Sequence, residues 1–187
     1  MSFHYKNSKV STSKMEPVYL TKFTTVWVLP EALRGRFGTE LITEQNIEIA
    51  GLSTDKMPEE VVQKYKFVNR KFTGSVVDTS VDLEMVFEVN VDPKTNAMIP
   101  YDRLKAWGQL CYDFNSGFQG LKADYTGSCT VQMHDKVGTV LKEWFIPIVW
   151  PKTAPNQFDL KSAEEGNYKL TMTFHAENIT TQDYAGS

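Results

Sequence analysis

The sequence predicts a mainly β domain with one flanking α-helix, and three patterns carry that expectation. Between Val81 and Val91, and again between Tyr168 and Glu177, apolar residues alternate with polar ones. That is the period of a strand with one face on a core and one toward water. Only once does the spacing change to threes and fours: Leu104, Trp107, Cys111 and Phe114, with Leu110 beside them, form one stripe. A helix of about four turns would present that stripe to a core.

Along the chain, Met1 to Glu16 is rich in Ser and Lys without periodicity and reads as a flexible N-terminal arm (1–16), leaving 17–187 as a single domain. From Val18 to Leu29, β-branched and aromatic residues predict a long strand that Pro30 ends. The glycines of Arg34-Gly35-Arg36-Phe37-Gly38 predict a turn, and Leu41 to Ile49 a second, half-exposed strand. After the loop-like Gly51 to Pro58, the stretch Glu59 to Phe72 mixes Val61, Val62, Tyr65, Phe67 and Val68 with Lys64, Lys66, Arg70 and Lys71 in no clean period. The region of about 50–73 therefore reads as a projecting extended arm. So many large apolar groups either pack down on the sheet or meet another chain.

In the third strand, Val81, Leu83, Met85, Phe87, Val89 and Val91 face the core, opposite Asp82, Glu84, Val86, Glu88 and Asn90, so its other face is wet and acidic. Asp92-Pro93-Lys94-Thr95-Asn96 has turn chemistry, and Pro100 stands just before the helix. Asp102 suits the helix's first turn, and Asn115-Ser116-Gly117 supplies its stop. Cys129, Val131 and Met133 alternate with Thr130, Gln132 and His134, and Asp135-Lys136-Val137-Gly138 connects this strand to a return strand, Thr139 to Val149. Trp144, Ile146 and Ile148 share one face there, and Pro147 marks an edge or a bulge. The last strand sets Tyr168, Leu170, Met172, Phe174 and Ala176 against Lys169, Thr171, Thr173, His175 and Glu177.

A chain of 187 residues with 41% hydrophobic content and no internal repeat is one folded domain. A formal net charge of -3 argues against a protein that holds nucleic acid by a basic surface. No run of 18 apolar residues occurs, and nothing before Pro17 resembles the apolar core of a signal peptide. The expectation is synthesis in a cytoplasm, without general secretory export or a membrane partner.

The candidates for chemistry are weak, and no catalytic, metal or cofactor site is expected. Cys111 and Cys129 lack the paired spacing of a zinc site and read as free buried thiols. His4 lies in the loose arm, and His134 is an odd number of residues from Cys129, so the two fall on opposite strand faces. His175 and Glu177 share a face but have no third ligand nearby in sequence. Asp82, Glu84 and Glu88 are charges on an exposed strand face. Asn178-Ile179-Thr180 fits a glycosylation acceptor that would need secretion to matter. No GxGxxG, phosphate-loop or GxSxG pattern occurs. The four tryptophans, Trp27, Trp107, Trp144 and Trp150, are assigned to core packing.

The order of motifs resembles the tail tube proteins of contractile-tailed phages and of related phage-like injection systems. An arm ending in Asn69-Arg70-Lys71-Phe72-Thr73-Gly74 precedes the long alternating strand, and the helix segment Leu104-Lys105-Ala106-Trp107 precedes Tyr125-Thr126-Gly127-Ser128-Cys129-Thr130-Val131. Asp135-Lys136-Val137-Gly138, then Glu143-Trp144 through Trp150-Pro151, then a final alternating strand complete the order over about Val18 to Ile179. The resemblance implies a β-barrel or sandwich with one flanking helix, a structural and non-enzymatic role, and homohexameric rings stacked into a helical tube that serves genome ejection or cargo delivery.

It also implies a subunit-stacking arm at Val61, Val62, Tyr65, Phe67 and Val68, and lumen-facing acidic residues at Asp82, Glu84 and Glu88. The partners it implies are further copies of the chain, tail sheath and baseplate proteins, and DNA or protein cargo passing without specific binding, in a virion tail or a contractile particle. The alternative is a monomeric β-sandwich module that binds carbohydrate or peptide in an aromatic-lined groove.

Overall fold

The computed structural model describes residues 22–37, 46–53, 60–64, 69–73, 79–135, 137–155 and 168–184. Its elements begin with β1 (Phe23–Val28), α1 (Glu31–Phe37), β2 (Asn46–Ala50), β3 (Glu60–Lys64), β4 (Asn69–Thr73) and β5 (Ser80–Glu88). There follow β6 (Asn90–Val91), β7 (Met98–Ile99), α2 (Tyr101–Cys111), β8 (Tyr112–Asp113), β9 (Phe118–Gln119) and α3 (Lys122–Tyr125). The last four are β10 (Gly127–His134), β11 (Val140–Pro151), β12 (Lys169–Glu177) and β13 (Thr180–Asp183).

Seven strands form one antiparallel sheet in the order β1-β10-β11-β12-β5-β2, with β13 on β11. The alternation legible in the sequence sets its faces: Leu83, Met85 and Phe87 of β5 and Leu170, Met172, Phe174 and Ala176 of β12 are buried on one side. In a flat sheet β1 and β5, with three strands between them in this order, would lie roughly 19 Å from each other. Yet the ring centroids of Trp27 on β1 and Phe87 on β5 are 6.3 Å apart, and Phe174 lies 5.3 Å from Trp27 and 6.1 Å from Phe87. The sheet is therefore rolled around its aromatic core into a sandwich-like shape. It does not close, because β1 and β2 end the path and no described strand pairs with their outer sides.

The expected flanking helix, α2, packs against β11 and the aromatic core of the roll. Trp107 is fully buried, stands edge-on to Trp27 at 5.8 Å and donates its indole N–H to the Tyr125 carbonyl at 2.7 Å. Gly127 permits this approach, since a Cβ there would come within 2.8 Å of the Val28 carbonyl oxygen and 2.9 Å of the Trp107 ring.

Pro147 produces the expected bulge rather than an edge. Between Cys129↔Ile146 and Gly127↔Val149 the register shifts by one residue, so β11 carries an extra residue there. On the other side, β12 pairs with Ile148–Pro151 and β13 with Lys142–Phe145. The ladder breaks where Pro147 has no N–H, and Asn178, between β12 and β13, takes a positive φ of 58°.

Four expectations are corrected. The Arg34-Gly35-Arg36 segment is not a turn but part of α1, which starts as Leu33 N–H and Arg34 N–H donate to the Pro30 carbonyl, with Glu31 in its first turn and both arginines in its last, as the helix dipole favours. The helix α2 has 11 residues, about three turns, because Tyr112 is extended and the Asp113 carboxylate accepts from Asn115 N–H and Ser116 Oγ. Phe114 thus lies beyond it, 71% exposed. The third strand stops at Glu88, and Val91, in the small β6–β7 ribbon, is 60% exposed. Trp150 is not in the core: its ring packs 4.5 Å from His175 on the sheet's outward face.

The Asp92 turn forms as expected, with its carboxylate accepting from Lys94 N–H and Thr95 Oγ1. The N-terminal arm lies outside the described residues, as do 41–45 of the expected second strand, whose remainder, β2, is half-exposed.

Candidate assembly surfaces

Three surfaces combine exposure with unusual chemistry. The first is the β3–β4 ribbon, paired from Glu60↔Thr73 to Lys64↔Asn69. Val61 and Val62 are neighbours in sequence, so they point to opposite sides, and both are about half exposed, as is Phe72 opposite Val61. Every residue of both strands is exposed, and the ribbon makes no substantial contact with any other described element. A Glu60–Lys71 ion pair of 2.8 Å bridges its strands. Tyr65, Phe67 and Val68 lie outside the described residues.

The second is the outward face of β5 and β12. Asp82, Glu84 and Glu88 all point away from the buried face, as the alternation requires. Register sets Asp82 opposite His175, whose Nδ1 is 3.1 Å from an Asp82 oxygen and whose Nε2 is 3.6 Å from Glu177. Lys152 Nζ donates to Asp82 at 2.6 Å, and Lys122 Nζ donates to both Glu177 oxygens at 2.9 and 2.8 Å. Lys122 also lies over the Trp150 ring at 4.7 Å. Hydrogen bonds from Lys152 and then His175 hold the Asp82 carboxyl below its usual range. The two ammonium groups occupy the carboxylates that a cation would need, and no cluster of three potential ligands suited to a metal occurs among the described residues. This is an exposed charge network rather than a ligand set.

His134 and Cys129 lie on opposite faces, as expected. His134 Nε2 is 2.8 Å from Thr24 Oγ1 outside, while Cys129 is 1% exposed inside. Burial raises both thiols, Cys111 to about 12 and Cys129 further, so neither is poised as a nucleophile at neutral pH. Arg103 is 7% exposed, lies over the Phe37 ring at 5.9 Å, and has its pKa lowered by burial.

The third surface was not anticipated from the sequence. Where α2 ends, the short β8–β9 hairpin and the turn after it expose Tyr112, Phe114, Phe118 and Leu121, the last three by 68–71%. Tyr112 and Phe114 stack edge to face at 5.1 Å, holding one aromatic in place for the other. A groove beside Phe114 runs between the Gly108–Gln109 face of α2 and Ala154–Pro155. The only hint in the sequence is the Asp113-Phe114-Asn115-Ser116-Gly117 turn, which lifts Phe114 off the helix stripe.

The same fold occurs in contractile injection particles. A chain of the PVC extracellular contractile injection system, from its sheath–tube complex in the extended state, matches with a TM-score of 0.58 at 14% identity, covering 95% of this chain and 99% of that one. A chain of the anti-feeding prophage cap, which terminates its tube, gives 0.58 at 14% over 98% and 99% of the two chains. One from the six-fold symmetrised baseplate of the anti-feeding prophage gives 0.54 at 12% over 92% and 99%. No protein family matches the sequence, and neither does any curated protein. By fold, then, the chain is mainly β and sandwich-like, similar to chains found in contractile injection particles.

Proposed function

We propose that the protein is the structural subunit of a contractile tail or injection-system inner tube, assembling as stacked hexameric rings that conduct DNA or protein cargo. The observation that carries this reading is a rolled sheet whose end strands, β1 and β2, pair with no further described strand, in a fold found end to end in chains of contractile particles. Unpaired edges invite pairing with another chain, and closing a ring of copies removes them. A head-to-tail contact that closes sideways and stays open along the axis yields a tube. The β3–β4 ribbon, together with Tyr65, Phe67 and Val68, is the arm that reaches the next ring. The outward carboxylates Asp82, Glu84 and Glu88 face the passage, where negative charge keeps nucleic acid from adhering.

Sheath and baseplate proteins are the partners on this reading, the place is a contractile particle, and no enzymatic step is involved. The alternative binding module calls for an aromatic-lined groove, whereas the groove beside α2 contains a single aromatic, Phe114.

Negative-stain microscopy of the purified full chain over a range of concentrations tests the proposal. Six-fold rings and tubes are expected, and a persistent monomer at high concentration would overturn it. Val61→Asp with Phe72→Asp should leave rings but abolish stacking at unchanged fold, and normal tubes from that double variant would remove the ribbon from the stacking contact.

A further inference from the structure

We infer that the surface where the last turn of α1 meets the first turn of α2 docks an acidic segment of a partner polypeptide, whose carboxylates meet Arg36 and Arg103 beside the Phe37 ring. This surface is separate from the sheet edges and the ribbon on which ring closure and stacking depend.

Arg34 and Arg36 occupy the last turn of α1, and Arg103 lies in the first turn of α2, which packs on α1. In a chain with a formal net charge of -3, these arginines reverse the sign locally. Among the described residues none of the three pairs with a carboxylate. Asp102, the acidic neighbour on α2, accepts from the Met98 N–H at 2.9 Å instead, and Glu31 of α1 pairs with neither arginine of its own helix. Arg34 Nε donates to the Leu29 carbonyl at 2.6 Å, which engages its stem and leaves its charge unmatched. Arg36 places its Cζ 4.9 Å from the centre of the half-buried Phe37 ring.

Arg103 makes the sharper demand. It is 7% exposed, its Nη1 is buried without a hydrogen-bond partner, and its Cζ lies 5.9 Å from the same Phe37 ring. A guanidinium stays protonated, and its planar fork of donors matches a carboxylate. Burying one with no acid beside it is unfavourable, and an apolar side chain of similar volume would serve the isolated chain better. The acceptor that completes this surface is therefore an acid from outside the described fold. Arginine is also enriched at the buried centres of protein interfaces. A nucleic acid is the other polyanion, but its phosphates call for an extended basic surface, whereas here the cations surround one ring and Arg103 is more than nine-tenths buried. An Asp or Glu side chain is slender enough to reach that depth, and the Phe37 ring gives its stem an apolar contact.

The test follows the fluorescence anisotropy of a labelled octapeptide of alternating Glu and Ala, titrated with the full chain at low salt. Saturable binding is expected, weakened about tenfold by Arg36→Glu and by Arg103→Met, the loss of one charge-assisted contact. Arg36 is exposed, so its variant should keep the fold. The urea midpoint of Arg103→Met separates docking from a structural role, because removing a buried unmatched charge should hold or raise it. A lowered midpoint with unchanged peptide binding would overturn the assignment, as would the absence of saturable binding to the parent. Tighter binding of a single-stranded oligonucleotide of equal charge would assign the surface to nucleic acid and overturn the acidic partner. Glu40 and Glu44 lie outside the described residues. Peptide affinity that rises about tenfold in Glu40→Gln with Glu44→Gln would show that the chain's own acids fill the surface, which also overturns the partner.

Discussion

Replacing Phe174 by Ala should test whether the aromatic core is what keeps the sheet rolled. Phe174 is fully buried, and its ring lies 5.3 Å from Trp27, 6.1 Å from Phe87 and 5.9 Å from Trp107, so it joins β1, β5 and α2 across the roll. Burial of 150–250 Å² at about 25 cal/mol per Å² gives roughly 4–6 kcal/mol as an upper value. Measured Phe→Ala losses in cores fall at about 3–5 kcal/mol, so about 4 is the working figure. For a chain of this size each kcal/mol corresponds to about 2–4 °C, which puts the loss in melting temperature at roughly 8–16 °C. Phe174→Leu, which retains much of the volume, should lose under about 1.5 kcal/mol.

The assay is urea unfolding followed by tryptophan fluorescence at one fixed protein concentration, because self-association shifts apparent stability. Trp27 and Trp107 both touch the ring, so their emission should redden even in the folded variant. A loss below about 1 kcal/mol with unchanged emission would refute the role given to Phe174.

Gly127→Ala should cost about 1–3 kcal/mol by overpacking, because its Cβ meets the Val28 carbonyl and the Trp107 ring, neither of which can yield easily. A variant as stable as the parent in the same urea titration would show that α2 can move off the strand. Asp82→Asn should cost under about 1 kcal/mol at pH 7, since its pairs with Lys152 and His175 are partly exposed. The sign with pH follows from its lowered pKa: the contribution is complete above the ordinary carboxylate range and is lost as pH falls through the folded value. Urea midpoints of parent and variant should thus converge as pH falls below the ordinary carboxylate range, and a gap that widens there would contradict the assignment.

What the sequence revealed depended on how local each signal is. The strands β5 and β12 were legible because one face of each is solvated, and their alternation survives as the buried set Leu83, Met85, Phe87 and Leu170, Met172, Phe174. The ribbon was visible only as an anomaly, since adjacent Val61 and Val62 on a strand exposed on both sides leave no period to read. The helix α1 was hidden by Gly35 and by its length of 7 residues, too short for an amphipathic repeat. Phe114 falls on the helical stripe by spacing, yet the Asp113 turn redirects it to the surface, and no period marks Tyr112, Phe118 or Leu121. The Asp82–His175 contact joins residues 93 apart, and only the β5–β12 register reveals it.

The path β1-β10-β11-β12-β5-β2 contains an even number of strands, every neighbouring pair antiparallel, so the two edge strands run in opposite senses. Parity then matters for any ring built by rotating copies about an axis along the strands. The β2 edge of one copy and the β1 edge of the next would meet as opposites, and the up-down alternation would continue through the seam without an added or missing strand. An odd count would force a parallel pair at every junction. If copies join in the proposed ring, the count of described strands would thus set the polarity of the joint between them.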